Sequence, residues 1–297
     1  MTQAAALPLP GKIRSIYELA KPKVVGLIVF TAFVGMLLAS PTGVPLDGER
    51  MFFALLGIAL ASAAGAAINH LLDERYDTLM DRTHNRPLPT HRVNNREVLM
   101  VALSWAAISM GLLVWQVNVL TAVLTFAALI GYAVIYTVYL KHNTPQNIVW
   151  GGAAGAAPPL LGWTAMTGQV TIEGLILFLI IFLWTPPHFW PLAIRRVEEY
   201  KRAGIPMLPV VKGIPHTKYQ VLLYTMVLVT VSLLPTTVGM SGMVYFISAA
   251  LLGGIYVYYA WKLYRDPEHA MAMPTFGYSI LYLVLLFAAL LVDHYLR

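Results

Sequence analysis

An all-α polytopic membrane fold, with nine transmembrane helices in one bundle around a cytoplasm-facing cavity, is predicted by three features of the sequence. Of 297 residues, 58% are hydrophobic and 11% charged, with mean hydropathy +0.68. Soluble domains sit near half apolar and about a quarter charged. Nine apolar stretches each come close to the ~17–25 residues a helix needs to cross the hydrocarbon. The lysines and arginines between them alternate between crowded and almost empty connections, as they do when basic residues hold one side of a membrane.

Taken in order, residues 1–22 are a cytoplasmic tail, with Met1 to Ser15 expected to be loose and without the apolar core and cleavage site of a signal peptide. Residues 23–297 form one intramembrane unit. Its expected spans are Val24 to Ser40, Phe52 to His70, Val98 to Val117, Val119 to Leu140, Ile148 to Met166, Ile172 to Trp190, Tyr219 to Val238, Met243 to Trp261 and Phe276 to Val292. Lys12, Arg14, Lys21 and Lys23 precede the first span, and Arg75, Arg82, Arg86, Arg92 and Arg96 follow the second. Lys141 follows the fourth, six basic residues from Arg195 to Lys218 follow the sixth, and Lys262 and Arg265 follow the eighth. Only Arg50 and Arg297 fall on the other side. The rule that basic residues stay inside therefore puts the N-terminus in the cytoplasm and the C-terminus outside. In a bacterium this means the inner membrane.

The same topology accounts for the net charge of +6, so nucleic acid is not an expected partner; the lipid bilayer is. With no cysteine, disulfides, thiolate metal sites, iron–sulfur clusters and cysteine nucleophiles are excluded.

Chemistry is expected in the two long inside connections, about residues 71–97 and 191–218. Asn69, Asp73 and Asp77 follow one another at spacings of four, so a helix turns each only about 40° past the last and sets all three on one face. Two carboxylates and an amide suit a hard cation such as Mg²⁺, which is usually held by few carboxylates together with the phosphates of a substrate. Arg82 and Arg86, just downstream, suit those phosphates. The alternative is a solvated helix end with acids paired to nearby arginines.

Further candidates gather at the same level. Tyr136, Tyr139 and Lys141 end the fourth span, where Lys141 either neutralises a diphosphate or snorkels to the interface. Asn147 then leads into Gly151-Gly-Ala-Ala-Gly-Ala-Ala-Pro-Pro. That run lets helices approach closely, and a wall of small residues also leaves space for a flat or long substrate. In Trp184-Thr-Pro-Pro-His188-Phe-Trp, the prolines are expected to break the sixth span near its end and shape a pocket around His188. Arg195 and Arg196 follow.

These motifs together resemble the UbiA superfamily of intramembrane prenyltransferases, over nearly the whole chain. Asn69-x-x-x-Asp73-x-x-x-Asp77 is similar to that family's first aspartate-rich motif, which binds Mg²⁺ and prenyl diphosphate. Asp81-Arg-Thr-His-Asn-Arg86-Pro-Leu, Tyr139-Leu-Lys141 through Thr144-Pro-Gln-Asn147, Pro187-His188-Phe-Trp and Ile205-Pro-Met-Leu-Pro209-Val resemble its heme-modifying branch. The resemblance implies transfer of farnesyl from farnesyl diphosphate to a vinyl group of heme B, giving heme O, with Mg²⁺ as cofactor. It implies Asn69, Asp73 and Asp77 as metal residues, acting with Lys141 and His188 in catalysis. Arg82, Arg86, Tyr136, Tyr139, Asn147, Arg195 and Arg196 are then expected around substrate, with a heme-processing membrane protein as an expected partner. The second acidic motif found near the end of the sixth span in quinone-type relatives is missing, and His188, Glu198 and Glu199 stand there instead. A prenyltransferase of aromatic quinone precursors is the alternative within the family. A membrane transporter is the alternative outside it, disfavoured because the acids cluster on one side instead of at the midplane.

Overall fold

The computed structural model describes residues 9–78 and 83–297, the side chains of residues 9 and 10 excepted. In hydrocarbon no water meets the backbone, so each apolar stretch closes its own hydrogen bonds as a helix. The chain runs α1 (Leu9–Leu19), α2 (Pro22–Ala39), α3 (Gly48–Asp77), α4 (Asn95–Gln116) and α5 (Val119–Ile130), which continues through a π-helical segment (Gly131–Leu140) into α6 (Lys141–Asn143). After these come α7 (Asn147–Thr167), α8 (Ile172–Arg195), α9 (Val197–Arg202), α10 (Leu208–Val211), α11 (Ile214–Ser232), α12 (Leu234–Thr237), α13 (Met243–Arg265) and α14 (Ala272–Leu296).

Eight of these helical stretches are long and apolar enough to cross a membrane. The ninth expected span, Ile148 to Met166, is a helix of 21 residues (α7) that falls outside that set. Its composition explains the difference: fourteen of its residues are buried, so glycine, alanine and proline facing neighbouring helices take the place of the large apolar side chains that lipid would favour. Two further expectations are corrected. The stretch expected to be loose is helical from Leu9 onward, and α1 is held to the start of α4 by Lys12 Nζ on Glu97 Oε1 at 2.6 Å, while Arg92 meets Glu18 at 2.9 Å. The sixth span is not broken by its prolines: α8 is continuous through Pro186, Pro187 and Pro191. Proline removes one hydrogen bond and crowds the preceding turn, and here tight packing against α7, α11 and α14 holds the helix together.

Close approach is concentrated where α2 meets α7. A Cβ on Gly35 would overlap the Pro159 carbonyl, and one on Gly162 the Ala32 carbonyl. Helices α7, α8, α14 and α2 pack in succession, with α14 returning to α2 to close the bundle, and α3 lies between α2 and α4. At one end, His294 near the C-terminus reaches the Ser40 carbonyl at 3.1 Å. At the other end, Lys21 and the last turns of α3 come together. Between α2, α3, the π segment, α7 and α8 lies a cavity of about 400 Å³, within the usual range of small-molecule sites.

Candidate functional site

The cavity begins at Lys21 and extends along α2 to Thr31, ten residues or about 15 Å of helix. Its walls are apolar for most of that length. Val24 and Ile28 of α2, Ile58 and Ala61 of α3, and Gly151, Gly152, Gly155 and Pro158 of α7 line it. The small-residue run of α7 thus leaves space, as one of its two sequence readings expected. Tyr132 and Tyr136 stack at 5.8 Å and line the cavity from the π segment. Tyr136 can lie there because Gly151 has no Cβ; one would overlap the ring.

At the Lys21 end the polar residues converge. Asn69, Asp73 and Asp77 are buried on one face of α3, at 4%, 2% and 4% exposure. Asn69 Nδ2 donates to Asp73 Oδ2 at 2.7 Å and to Thr137 Oγ1 at 3.2 Å, and Lys21 Nζ donates to Asn69 Oδ1 at 2.6 Å. Lys141 Nζ meets Asp73 Oδ2 at 2.6 Å, and Arg86 Nη1 meets Asp77 Oδ2 at 2.6 Å. His142, stacked on Tyr76 at 4.1 Å, brings Nε2 to 3.9 Å from Asp73 Oδ1. Asn147, fully buried, donates to the Lys141 carbonyl at 3.2 Å and fixes the turn that carries that lysine.

Two carboxylates therefore face three cations, Lys21, Lys141 and Arg86, and the surplus is positive. Lys21 reaches its place through an uncommon backbone: it precedes Pro22 with φ 51 and ψ 61, in the left-handed region. Such a conformation at a non-glycine residue costs on the order of 1–3 kcal/mol and persists only where surroundings impose it. Burial pushes the Lys21 ammonium down to about 7, with Arg86 and Lys141 adding to the fall and Asp73 and Asp77 opposing it. An entering anion would favour its charged form.

The donor set fits a hard divalent cation. Among the described residues no three His, Cys, Asp or Glu side chains gather around one point. What stands here is two carboxylates and an amide, a set that suits a cation keeping water and phosphate oxygens as its other ligands. Buried polar atoms without a hydrogen-bond partner among the described residues lie at the cluster: Asp73 Oδ1, His142 Nδ1, Asn147 Oδ1 and both ring nitrogens of His70. Buried polar groups are ordinarily satisfied, so these atoms mark a place built for further polar contacts.

Other expected residues stand apart. Arg82 lies outside the described residues. Tyr139 is 61% exposed and does not line the cavity. Arg195 is exposed at the end of α8, and Arg196 pairs with Glu199 at 3.6 Å. His188 shares α8 with Trp184, Thr185 and Phe189, which line the cavity, but turns toward α14. There its ring lies between Trp184 and Phe276, with centroids at 4.1 and 4.6 Å, and Nδ1 is 2.6 Å from Ser279 Oγ. Lys21, Thr137 and His142 join the cluster although the sequence did not single them out. Lys21 counts there as a topology charge, and Thr137 is one more residue of an apolar span.

Known proteins agree with this architecture. The family profile described as the UbiA prenyltransferase family matches residues 28–292. A protein named protoheme IX farnesyltransferase from Thioalkalivibrio sulfidiphilus (strain HL-EbGR7) is 62% identical, over 97% of this chain and 94% of that protein. Another of that name from Hahella chejuensis (strain KCTC 2396) is 54% identical, over 100% and 98%. Among solved structures, one described as a digeranylgeranylglyceryl phosphate synthase is similar with a TM-score of 0.82 at 19% identity, over 96% of this chain and 99% of that one. A UbiA homologue from Archaeoglobus fulgidus bound to DMAPP and Mg²⁺ is similar with a TM-score of 0.61 at 18% identity, over 93% and 99%. A family match across most of the chain, joined to relatives of such identity over nearly its full length, leaves one conclusion: the chain belongs to the UbiA prenyltransferase family.

Proposed function

We propose that this enzyme transfers a farnesyl group from farnesyl diphosphate to a vinyl group of heme B, protoheme IX, making heme O and releasing diphosphate. The observation that carries the reading is the cluster of two carboxylates and three cations set at the mouth of an apolar cavity. A prenyl diphosphate is itself an apolar chain with a charged end, and cavity and cluster match its two parts. The heme acceptor is supported by the relatives' names over nearly the whole chain.

In this reading Lys21, Lys141 and Arg86 leave their present partners to bind diphosphate oxygens, with Arg82 as a further candidate. Asp73, Asp77 and the Asn69 oxygen are thereby freed to hold Mg²⁺. Bound there, Mg²⁺ would neutralise charge developing on the leaving diphosphate. Once regrouped on the diphosphate, the three cations would stabilise the charge that develops on its oxygens as the bond breaks. The allylic C1–O bond breaks with its electron pair leaving on the diphosphate. The vinyl π pair of heme B forms the new C–C bond, and water adds its oxygen to the resulting cation and loses a proton to solvent. The cavity walls hold the isoprenoid dry until that point. Tyr136 lines the path between cluster and cavity, and Asn147 holds Lys141 in place. The cluster faces the cytoplasm in this reading, with the N-terminus on the same side.

The test is incubation of purified protein with heme B, farnesyl diphosphate and Mg²⁺, followed by mass spectrometry of the extracted porphyrin. A farnesylated, hydrated heme that disappears with EDTA is expected. Transfer to a hydroxybenzoate in a parallel tube, with heme unchanged, would overturn the acceptor and leave the donor site standing.

A further inference from the structure

The Thr137 hydroxyl has a single hydrogen, and that hydrogen is directed to the Tyr132 carbonyl at 2.9 Å. Only lone pairs remain for Asn69, whose Nδ2 lies 3.2 Å away. The amide can therefore meet Thr137 only with its NH₂ end. Its second hydrogen goes to Asp73 Oδ2 at 2.7 Å, so Oδ1 is turned to the opposite side, where Lys21 Nζ meets it at 2.6 Å. The bond from Thr137 to Tyr132 spans five residues and so follows the π-helical turn that carries both. In an α-helix the same hydroxyl bonds back three or four residues. π-helical geometry within α-helices is rare and frequently marks functional sites, and this ten-residue segment gives Thr137 its second role.

The three contacts of Asn69 differ in permanence. Lys21 and Asp73 are ionisable and would regroup when a diphosphate and a divalent cation enter. Thr137 is neutral, 1% exposed and anchored on its own helix, and neither ligand competes for its hydroxyl. We propose that Thr137 is a positioning residue that holds the Asn69 amide with its oxygen, not its nitrogen, presented to a divalent cation bound at Asp73 and Asp77. The proposal rests on the metal-assisted reading above.

Two substitutions separate the role from packing. Thr137→Val keeps the volume and removes the hydroxyl; Thr137→Ser keeps the hydroxyl. The full-length protein in detergent is given a farnesyl diphosphate analogue with a non-cleavable C–P bond and titrated with Mn²⁺, bound metal being read by electron paramagnetic resonance. Thermal midpoints are recorded without metal. The half-saturating Mn²⁺ concentration is expected to rise about tenfold in Thr137→Val and to stay within about twofold of the parent in Thr137→Ser. An unchanged concentration in Thr137→Val overturns the proposal, even with a lowered thermal midpoint, because that pattern belongs to packing alone. A Thr137→Ser shift as large as that of Thr137→Val overturns it too. If Thr137→Val does not fold, Thr137→Ala takes its place with the same criteria. Asn69→Ala is the reference: binding of Mn²⁺ equal to the parent's would remove Asn69 from the metal site itself, a failure distinct from that of Thr137.

Discussion

Asp73 and Asp77 are almost fully buried, yet each meets a cation at 2.6 Å. Buried pairs of this kind add little net stability, so their presence is better explained by chemistry than by folding. Asp73→Asn and Asp77→Asn retain the shape and an oxygen acceptor for Lys141 or Arg86 while removing the charge a cation needs. Each is expected to lower heme farnesylation by at least about a hundredfold, with folded protein recovered in near-parent yield. Farnesylation assays beside size-exclusion profiles check this, and near-normal turnover in either variant would remove the metal-site reading. The spacing of Asn69, Asp73 and Asp77 was legible in the sequence because a helix makes four-residue periodicity spatial. Lys21 was not legible: it stands 48 residues from Asn69, and a basic residue before a membrane span already has a sufficient explanation in topology. Thr137 was hidden for a different reason. Its partners depend on a π-helical turn, and an unbroken apolar run carries no pattern that announces one.

At the scale of helices, small residues do two separate jobs along α7. Gly162 and the partner Gly35 let α2 and α7 touch backbone to backbone, whereas Gly151, Gly152 and Gly155 border the cavity. The sequence offered both readings for one run and had no means of dividing it. Gly162→Ala places a methyl group into the Ala32 carbonyl, and the two helices must separate. The expected loss is about 1–3 kcal/mol, read as a lowered thermal midpoint in detergent. Gly254→Ala is the control, since a Cβ there meets nothing within 4 Å; it should be neutral or slightly stabilising through helix propensity. Equal losses in both variants would show that the α2–α7 contact is not a tight one. Prolines misled for a related reason. Pro186 and Pro187 read as a break because sequence shows the missing donors, but not the neighbouring helices that keep α8 continuous.

For the whole molecule, orientation sets the meaning of the site. The acidic cluster, Lys21 and Lys141 lie at one end of the bundle, and Ser40, His294 and the C-terminus lie at the other. Sixteen of the basic residues from Lys12 to Lys218 precede or follow spans on the cluster's side, so the positive-inside rule predicts a cytoplasmic position for that end. A water-soluble prenyl donor head and its diphosphate product would then exchange with the cytoplasm. The absence of cysteine makes the chain a ready background for single-cysteine labelling. Thr42→Cys lies in the exposed connection between α2 and α3, and Lys212→Cys in the exposed turn before α11. With a membrane-impermeant maleimide on intact cells, Thr42→Cys is expected to label and Lys212→Cys to stay unlabelled until the cells are opened. The reverse pattern would turn the cluster outward, and diphosphate exchange would have to be sought on the far side of the membrane. Labelling of both from outside would mean that the two connections share a side, which the antiparallel course of α2 through α11 does not allow with an odd number of crossings between them. α7 decides that parity. Counted as a crossing, it puts Thr42 and Lys212 on opposite sides, so the same pair of cysteines tests whether the small-residue helix spans the bilayer although its composition alone does not mark it as a span.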